Sequence, residues 1–420
     1  MDDEVVNPRL YRAFCLRGEG RRNIVDRVAA GKTPPFGLHL CEAQMRAPLS
    51  RYIHELIARF IGADFLVTPR IVRMHVGDLV NVAKIPSLPH NVKVESFEEL
   101  ADAPLSGEVR SSRVPSYPFI DVLEMLDVTR IPKRISNTFG PTITFEIKPK
   151  QGFYQKHPGI GLQYCNNCIL QLEKWNSAAF EKMYDFCPLE LYSGDLPRMF
   201  AALGSLIADP HRNLRIFLDG NPIHDEEAVL SRPELESLLF PNSTVQIDSL
   251  IKALCCVLAG VHDDSDAFYL RHESILATLL RAQRIDPIGL VRAREIYEQL
   301  HPNVQAELLN KNNLLLRAKS GFLTADDPRS LLERYFLAAT LKDCSLMVSF
   351  RLATTPAGDP AHSHLVKVRP TPNAEPVCFN FSIRVVDLDP PRNLLNAYDR
   401  FMAGVNVIRQ HPNLHKPCRI

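Results

Sequence analysis

Apolar residues recur at the spacings of helices and strands along most of the chain, and this pattern is clearest in its second half. Over residues 49–61 they follow helical spacing, which predicts an amphipathic helix that packs on a nearby sheet. Further helical patterns cover residues 194–208, 245–261, 269–283, 287–300 and 328–341. Alternating strand patterns cover residues 142–149, 344–352 and 377–389. Helices followed by strands of one sheet indicate an α+β fold.

The first part of the chain gives a weaker pattern. Residues 10–25 predict a β-hairpin, with a tight turn at Gly18 and Gly20 and a second strand that begins at Asn23. Residues 26–46 contain a Pro-Pro pair and two glycines and offer no clear strand, so their secondary structure stays open. Residues 84–118 are rich in proline, serine and charge, which indicates an insertion or a mobile loop.

Composition and charge limit the classes of function. The chain has 420 residues, of which 45% are apolar and 23% charged, so most of it should fold. Its formal net charge is +1, so no global basic excess favours nucleic acid or a membrane surface. The acidic start lacks the layout of a secretory signal, and no apolar run reaches the ~18 residues of a membrane span. We therefore expect a monomeric cytoplasmic or nuclear protein.

Two segments carry groups that suit a phosphorylated ligand. The Gly18–Asn23 turn would let backbone amides converge on an anion, although such a turn is more often only a turn. Glu146, Lys148 and Lys150 alternate along the strand at residues 142–149, so they would share one face and present two ammonium groups to one ligand. The alternative is a solvated edge strand, where lysines protect against aggregation.

Two acids and one cysteine pair complete the candidates. Asp343 lies between a helix and an apolar strand, and Asp387 ends a strand, positions that suit a base and a metal ligand on rigid supports. A helix cap and a surface turn are their structural alternatives. Cys165 and Cys168 have zinc-knuckle spacing, but only Cys187 and His157 lie near enough to suggest further ligands, so structural zinc is not favoured.

In chain order, the segments GEGRRNIV, FEIKPKQGF, CPLELYSGDLPRM, HRNLRIFLDG, TLKDCSLMVSF and VVDLDP resemble the motifs of the inositol-pentakisphosphate 2-kinase family. The resemblance is dense over residues 139–220 and 337–388. It implies a two-lobed inositol-phosphate kinase fold, with a smaller N-terminal lobe (residues 1–145) built on an antiparallel sheet and a larger mixed C-terminal lobe (residues 146–420). It also implies transfer of phosphate from ATP, with Mg²⁺, to the 2-hydroxyl of inositol pentakisphosphate, giving the hexakisphosphate (phytate).

The resemblance also assigns roles to single residues. It makes Asp343 the general base, Lys148 a second catalytic group near the transferred phosphate, and Asp387 the magnesium ligand. The residues that it places at ATP are Gly18, Glu19, Gly20, Asn23, Glu146 and Arg215. Those that it places at the inositide are Lys148, Lys150, Lys174, Arg212, Asn213, Arg392 and Tyr398. Five phosphates carry about −8 to −10 in total, so a nearly neutral chain must concentrate its basic residues in one place.

Two departures from the family pattern keep an alternative open. The family has an apolar strand with a basic residue after the glycine turn, which is not evident in residues 26–46. The lysine that follows the late Asp-Leu motif is also missing, with Arg392 as its replacement. A catalytically weak relative that binds inositol phosphates as a scaffold is therefore the alternative to an active kinase.

Overall fold

In the computed structural model, the chain forms two units, each with its own antiparallel sheet. One unit comprises residues 1–54 and 67–127, and the other comprises residues 55–66 and 128–420. The structure describes residues 11–20, 23–30, 36–40, 46–67, 69–75, 119–131, 137–241, 243–308, 310–354, 364–389 and 394–420.

The first unit contains a five-stranded sheet in the order β1-β2-β3-β5-β4, with antiparallel neighbours throughout. Its strands are β1 (Tyr11–Gly20), β2 (Asn23–Ala30), β3 (Phe36–Leu40), β4 (Arg70–His75) and β5 (Phe119–Leu126). Helix α1 (Arg46–Arg51) packs against β4 and β5 of this sheet. The predicted hairpin is confirmed as β1 and β2.

Two details of the first unit differ from the sequence prediction. Strand β1 continues through both glycines of the predicted turn, since Gly18 pairs with Val25 and Gly20 with Asn23. Within residues 26–46, where no clear strand was evident, β2 continues and β3 pairs with β2 and β5. Neighbours on both sides can hold a short strand in a sheet despite an unfavourable local composition. The loop predicted at residues 84–118 lies outside the described residues.

The helix predicted at residues 49–61 is confirmed. After α1 the helical segment continues as a π-helical turn (Tyr52–Ile57) and as α2 (Ala58–Ile61). The predicted apolar residues Leu49, Ile53, Leu56 and Ile57 are buried, whereas Phe60 is only half-buried.

The second unit contains a six-stranded sheet in the order β10-β11-β9-β6-β7-β8. Its strands are β6 (Thr138–Ile147), β7 (Leu214–Leu218), β8 (Asn221–His224), β9 (Ser345–Ala353), β10 (Leu365–Val368) and β11 (Val377–Val386). Strand β9 lies between β6 and β11 and is buried along most of its length. The strands predicted near residues 344–352 and 377–389 are β9 and β11.

Helices make up most of the rest of the second unit, and the five predicted in this half of the chain are present. They are α3 (Asn166–Asn176), α4 (Pro188–Leu191), α5 (Leu196–Ala208), α6 (Arg232–Leu239), α7 (Ile247–Ala259), α8 (Ile275–Gln283), α9 (Gly289–Gln299), α10 (Pro302–Leu308), α11 (Lys311–Ala318), α12 (Pro328–Lys342) and α13 (Leu394–Gln410). The predicted α+β class is confirmed. Within the described residues, none of the helices combines the length and the apolar character needed to cross a bilayer.

Helices α3 and α13 pack closely against each other. A Cβ atom on Gly404 would come within 2.3 Å of the carbonyl oxygen of Ile169, so only glycine fits at this crossing. Around the crossing, Phe336 and Phe401 belong to a buried apolar cluster that also includes residues of α9 and α12. This contact fixes the end of α3, where Lys174 lies, relative to α13.

Candidate active site

The topology of the second sheet brings the two candidate acids and Lys148 to one edge. Strands β6 and β11 are both antiparallel to β9, and their last residues, Ile147 and Val386, pair with the first residues of β9. Lys148 follows β6, Asp387 follows β11, and Asp343 precedes β9 by two positions. Three segments distant in sequence therefore meet where β9 begins.

Two ion pairs join these segments. The Lys148 ammonium lies 3.2 Å from Asp387 Oδ2, and Lys150 Nζ donates a hydrogen bond of 2.6 Å to Asp343 Oδ1. Ser345 Oγ donates to Asp387 Oδ2 at 2.7 Å. The Asp343 side chain is 71% exposed and that of Asp387 52%, so both carboxylates remain open to a ligand despite their partners.

The charges around Asp343 and Lys148 shift the pKa values of these two groups in the directions that favour their charged forms. Desolvation would raise the pKa of Asp343, but the nearby ammonium groups of Lys150 and Lys148 outweigh it and lower that pKa below its ordinary value. Desolvation lowers the pKa of Lys148, yet the carboxylates of Asp387 and Asp343 raise it overall. Asp343 is therefore a carboxylate and Lys148 an ammonium at neutral pH.

The backbone after β6, rather than a strand face, directs Lys150. Strand β6 ends at Ile147, and the Lys148 N–H still bonds to the Asn213 carbonyl at 2.9 Å, so the prediction of one strand that includes Lys150 was wrong. Lys150 has a φ of 58°, in the left-handed region that residues with a side chain seldom adopt. Asp387 has a similar φ of 57°. Such conformations cost about 1 kcal/mol or more and are held by surrounding contacts.

Lys174, at the end of α3, lies among other cations. Desolvation, followed by the positive charges of Lys150, Arg400 and Arg212, lowers the pKa of Lys174 to about 8, against a smaller opposing effect of Asp343. Its ammonium lies 4.6 Å from the centre of the Phe180 ring. Four basic side chains therefore share one electrostatic environment, which favours an anionic ligand.

The HRNLR segment supports this region mainly through contacts within the protein. Asn213 is buried, and its side-chain Nδ2 atom bonds to His211 Nδ1 at 3.3 Å. Its backbone carbonyl accepts a hydrogen bond from the Lys148 N–H at 2.9 Å. Desolvation, then Lys174, lowers the pKa of His211 to about 4. Arg212 pairs with Glu226 at 3.4 Å.

Glu146 and Arg215 face each other on adjacent strands. They are register partners on β6 and β7, with 3.9 Å between the guanidinium and the carboxylate. Desolvation and the neighbouring Asp387 raise the pKa of Glu146, although Arg215 opposes the shift.

The remaining predicted site residues lie on α13, in the first unit or outside the described residues. Tyr398 is half-buried on α13, with the Arg294 guanidinium 5.5 Å from its ring centre. Arg392 lies outside the described residues. The backbone of Gly18, Glu19, Gly20 and Asn23 belongs to the hairpin of the first unit.

The sequence interpretation missed two residues of this region. Ser345 lies two positions after Asp343, and its bond to Asp387 follows from the pairing of β9 with β11. Arg400 donates two hydrogen bonds to Glu173, of 2.7 and 3.1 Å, which bring its charge close to Lys174. No local motif marks Arg400, because only the contact of α13 with α3 places it there.

Four cysteines form a separate cluster. The sulfur atoms of Cys165, Cys168, Cys187 and Cys418 all lie within 4.8 Å of one another, with 3.9 Å between Cys165 and Cys187 and 3.7 Å between Cys187 and Cys418. Four thiolates around a tetrahedral zinc, at Zn–S distances of ~2.3 Å, have sulfur atoms about 3.8 Å apart. His157 bonds instead to Asn166 at 2.9 Å, so the expectation of His157 as a nearby ligand is replaced by Cys418.

Comparisons with known proteins agree with the sequence motifs. The family model described as inositol-pentakisphosphate 2-kinase matches residues 39–393. A Danio rerio protein named inositol-pentakisphosphate 2-kinase is 23% identical over 327 residues, which cover 63% of this chain and 65% of the relative. An Arabidopsis thaliana protein of the same name is 28% identical over 266 residues, 59% of this chain and 55% of the relative. The matches thus span 65% or less of each of these two relatives.

Proposed function

The chain belongs to the inositol-pentakisphosphate 2-kinase family, and we propose that it transfers phosphate from ATP to the 2-hydroxyl of inositol pentakisphosphate, giving the hexakisphosphate. The observation that carries the proposal is the meeting of Asp343, Asp387 and Lys148 at the start of β9, beside the basic side chains around Lys174. A kinase needs a group that orients the acceptor hydroxyl, a metal-binding acid and cations for the phosphates.

Asp343 would accept the proton of the attacking hydroxyl. Its lowered pKa keeps it ionised at neutral pH, and its exposed carboxylate can reach a bound ligand. A carboxylate in this role acts chiefly by orienting the hydroxyl for in-line attack, because positioning supplies most of the catalysis in phosphoryl transfer. Lys148 would contact the phosphate that is being transferred. The carboxylates of Asp387 and Asp343 both raise its pKa, so it is an ammonium close to the proposed magnesium ligand and the proposed base.

Asp387 would hold magnesium, with Ser345 orienting its Oδ2 atom. An exposed carboxylate is a ligand that Mg²⁺ prefers, and the ion would neutralise charge on the nucleotide phosphates. Glu146 and Arg215 would contact the nucleotide from the neighbouring strands. The hairpin residues Gly18, Glu19, Gly20 and Asn23 would contribute amides to the nucleotide phosphates in a two-lobed enzyme.

Basic residues near α3 would bind the inositide. Lys150 and Lys174 share an electrostatic environment with Arg212, and each ammonium can form a charge-assisted hydrogen bond to a phosphate. Asn213 would support the inositide site indirectly, through its bonds to His211 and to the backbone of Lys148. Arg392 and Tyr398 complete the proposed set. The scaffold alternative was based on two departures, an apolar strand with a basic residue that is not evident in residues 26–46 and the missing lysine after the Asp-Leu motif. Strand β3 answers the first only in part, because it supplies a strand there but its sequence, FGLHL, contains no lysine or arginine.

The cysteine cluster fits a structural zinc ion. Four sulfur donors at tetrahedral spacing suit a closed site without an open coordination position. Cys165 and Cys168 would hold the start of α3, Cys187 the segment before α4, and Cys418 the C-terminal segment. The zinc would therefore stabilise the helix that carries Lys174 and take no part in phosphate transfer. We further propose that the protein acts as a monomer in the cytoplasm or nucleus.

One experiment tests the proposed function directly. Purified protein is incubated with ATP, magnesium and inositol pentakisphosphate, and the inositol phosphates are separated by ion exchange. We expect hexakisphosphate from the wild-type protein and from Asp326→Asn, and about 10²–10⁴-fold slower formation from Asp343→Asn. Asp326 is a matched control, because it is another exposed aspartate paired with a cation, 2.9 Å from Arg334. Absence of the hexakisphosphate with folded wild-type protein would refute the proposal.

A further inference from the structure

A buried glutamine joins the two segments that carry Lys150 and Asp343. Gln283 is the last residue of α8 and is fully buried. Its Nε2 atom donates to the carbonyl of Lys150 at 2.9 Å and to the carbonyl of Leu341 at 3.0 Å. Its Oε1 atom accepts from the N–H of Gly152 at 2.9 Å. Both hydrogens and the oxygen of this carboxamide are therefore used.

These bonds hold two backbone segments next to the proposed catalytic residues. Lys150 has its unusual left-handed conformation, and Leu341 precedes Asp343 by two residues at the end of α12. The ring of Tyr192 packs directly on this loop, since a Cβ atom on Gly152 would lie 2.4 Å from that ring. The 2.6 Å bond between Lys150 and Asp343 spans the same two segments at their exposed side.

We propose that Gln283 is a positioning residue of the active site. It holds the loop of residues 150–152 against the end of α12, so that Lys150 and Asp343 keep their positions relative to each other. The proposal rests on the proposed roles of these two residues. Replacing the carboxamide with an apolar group would remove its bonds to two carbonyls and one N–H. Among the described residues, the Lys150 carbonyl would keep only the 3.5 Å contact with the Tyr192 hydroxyl, and the Leu341 carbonyl only the 3.4 Å contact with Cys344 Sγ, so the loop would move toward other hydrogen bonds. A shift of about 1 Å in a reacting group can reduce turnover by about 100-fold.

The test compares Gln283→Met with a matched control, Gln305→Met. Gln305 also donates to two carbonyls, those of Tyr297 at 2.8 Å and Leu300 at 3.0 Å, but it lies on α10, which contributes none of the proposed site residues. Two properties are measured in each folded variant. The first is kcat together with the KM for ATP, and the second is the acetylation rate of Lys150, determined by peptide mass spectrometry without substrates.

In Gln283→Met we expect kcat to fall about 10- to 100-fold with the KM for ATP changed less than about threefold. We also expect Lys150 to be acetylated several-fold faster, because its ammonium would lose its fixed partner, whereas the exposed Lys182 serves as an internal standard. Gln305→Met should change neither property. If Gln283→Met does not fold, Tyr192→Phe replaces it, since the Tyr192 hydroxyl contacts both the carboxamide (3.4 Å) and the Lys150 carbonyl (3.5 Å).

Unchanged acetylation of Lys150 in the folded variant would overturn the inference, and so would an equal increase in Gln305→Met. If the wild-type protein produces no hexakisphosphate, the proposed function fails. The acetylation measurement then still decides whether Gln283 positions Lys150, because it needs no turnover.

Discussion

Lys174 offers a test of the proposed inositide-binding region through pH. Its pKa is lowered to about 8 by desolvation and by the positive charges of Lys150, Arg400 and Arg212. A phosphate bound there would favour the ammonium form and raise this pKa again. Binding above pH 8 must therefore be accompanied by uptake of one proton, so affinity should fall as pH rises through that value.

The size of the effect follows from the protonated fraction. With a pKa of about 8, Lys174 is largely protonated at pH 7 and largely neutral at pH 9. The affinity for inositol pentakisphosphate should therefore fall about 10-fold between these values, equivalent to ~1.4 kcal/mol. The second ionisation of a phosphate has a pKa of about 6 and is about 90% complete at pH 7, so the ligand gains a little charge between pH 7 and 9. Lys174→Met binds the same ligand and therefore separates this contribution from that of the lysine. His211, whose pKa is lowered to about 4, stays neutral throughout.

Isothermal titration calorimetry at pH 7, 8 and 9 checks this prediction, with two buffers of different ionisation enthalpy to count the protons. Lys174→Met should weaken binding at pH 7 by about 1.5–3 kcal/mol, the usual contribution of a hydrogen bond to a charged group, and should reduce the pH dependence. Lys182→Met is the matched control, since Lys182 also lies over an aromatic ring, 6.0 Å from the centre of Tyr184. A wild-type affinity that is flat from pH 7 to 9, or an undiminished slope in Lys174→Met, would refute the reasoning.

Three further predictions concern the acids and the cysteines. Asp343→Asn should lower kcat about 10²–10⁴-fold, while its melting temperature stays equal to that of the control variant Asp326→Asn. A nearly wild-type rate would show that Asp343 is not part of the mechanism. Asp387→Ala should raise the magnesium concentration required for half-maximal activity by 10-fold or more, so an unchanged magnesium titration would contradict its role as a ligand. Purified protein should contain about one zinc per chain by elemental analysis. Cys418→Ser should lose the zinc, and its melting temperature should fall by several degrees. A wild-type protein that contains no zinc and is as stable as Cys418→Ser would argue against the zinc site.

The sequence predicted the elements of the second unit well because their patterns are long and regular. The buried strand β9 and helices such as α5 and α7 depend on local spacing of apolar residues, which the sequence displays directly. In residues 26–46 the prediction found no clear strand, although β3 is present, because its pairing with β2 and β5 is a long-range property. Local composition alone does not reveal such partners.

Motif resemblance singled out Lys148, Lys150, Asp343 and Asp387 as candidates, and ion pairs join them at the start of β9. Their roles stay a prediction. Strand alternation did not predict the placement of Lys150, which follows from the end of β6 at Ile147 and from a left-handed backbone, and an apolar pattern reveals neither. In the same way, Cys418 could not be recognised as the partner of Cys165, because 253 residues separate them.

The ion pair of Lys150 and Asp343 links binding of the inositide to the basicity of the proposed base. Among the groups that lower the pKa of Asp343, Lys150 makes the largest contribution, followed by Lys148. An ammonium that also binds a substrate phosphate shares its charge with a stronger anion, so its effect on the carboxylate weakens. The pKa of Asp343 would then rise toward its ordinary value, which makes it a better acceptor for the proton of the 2-hydroxyl. Arrival of the inositide and activation of the base would thus be coupled through one lysine, and the carboxamide of Gln283 holds the backbone on which that coupling depends.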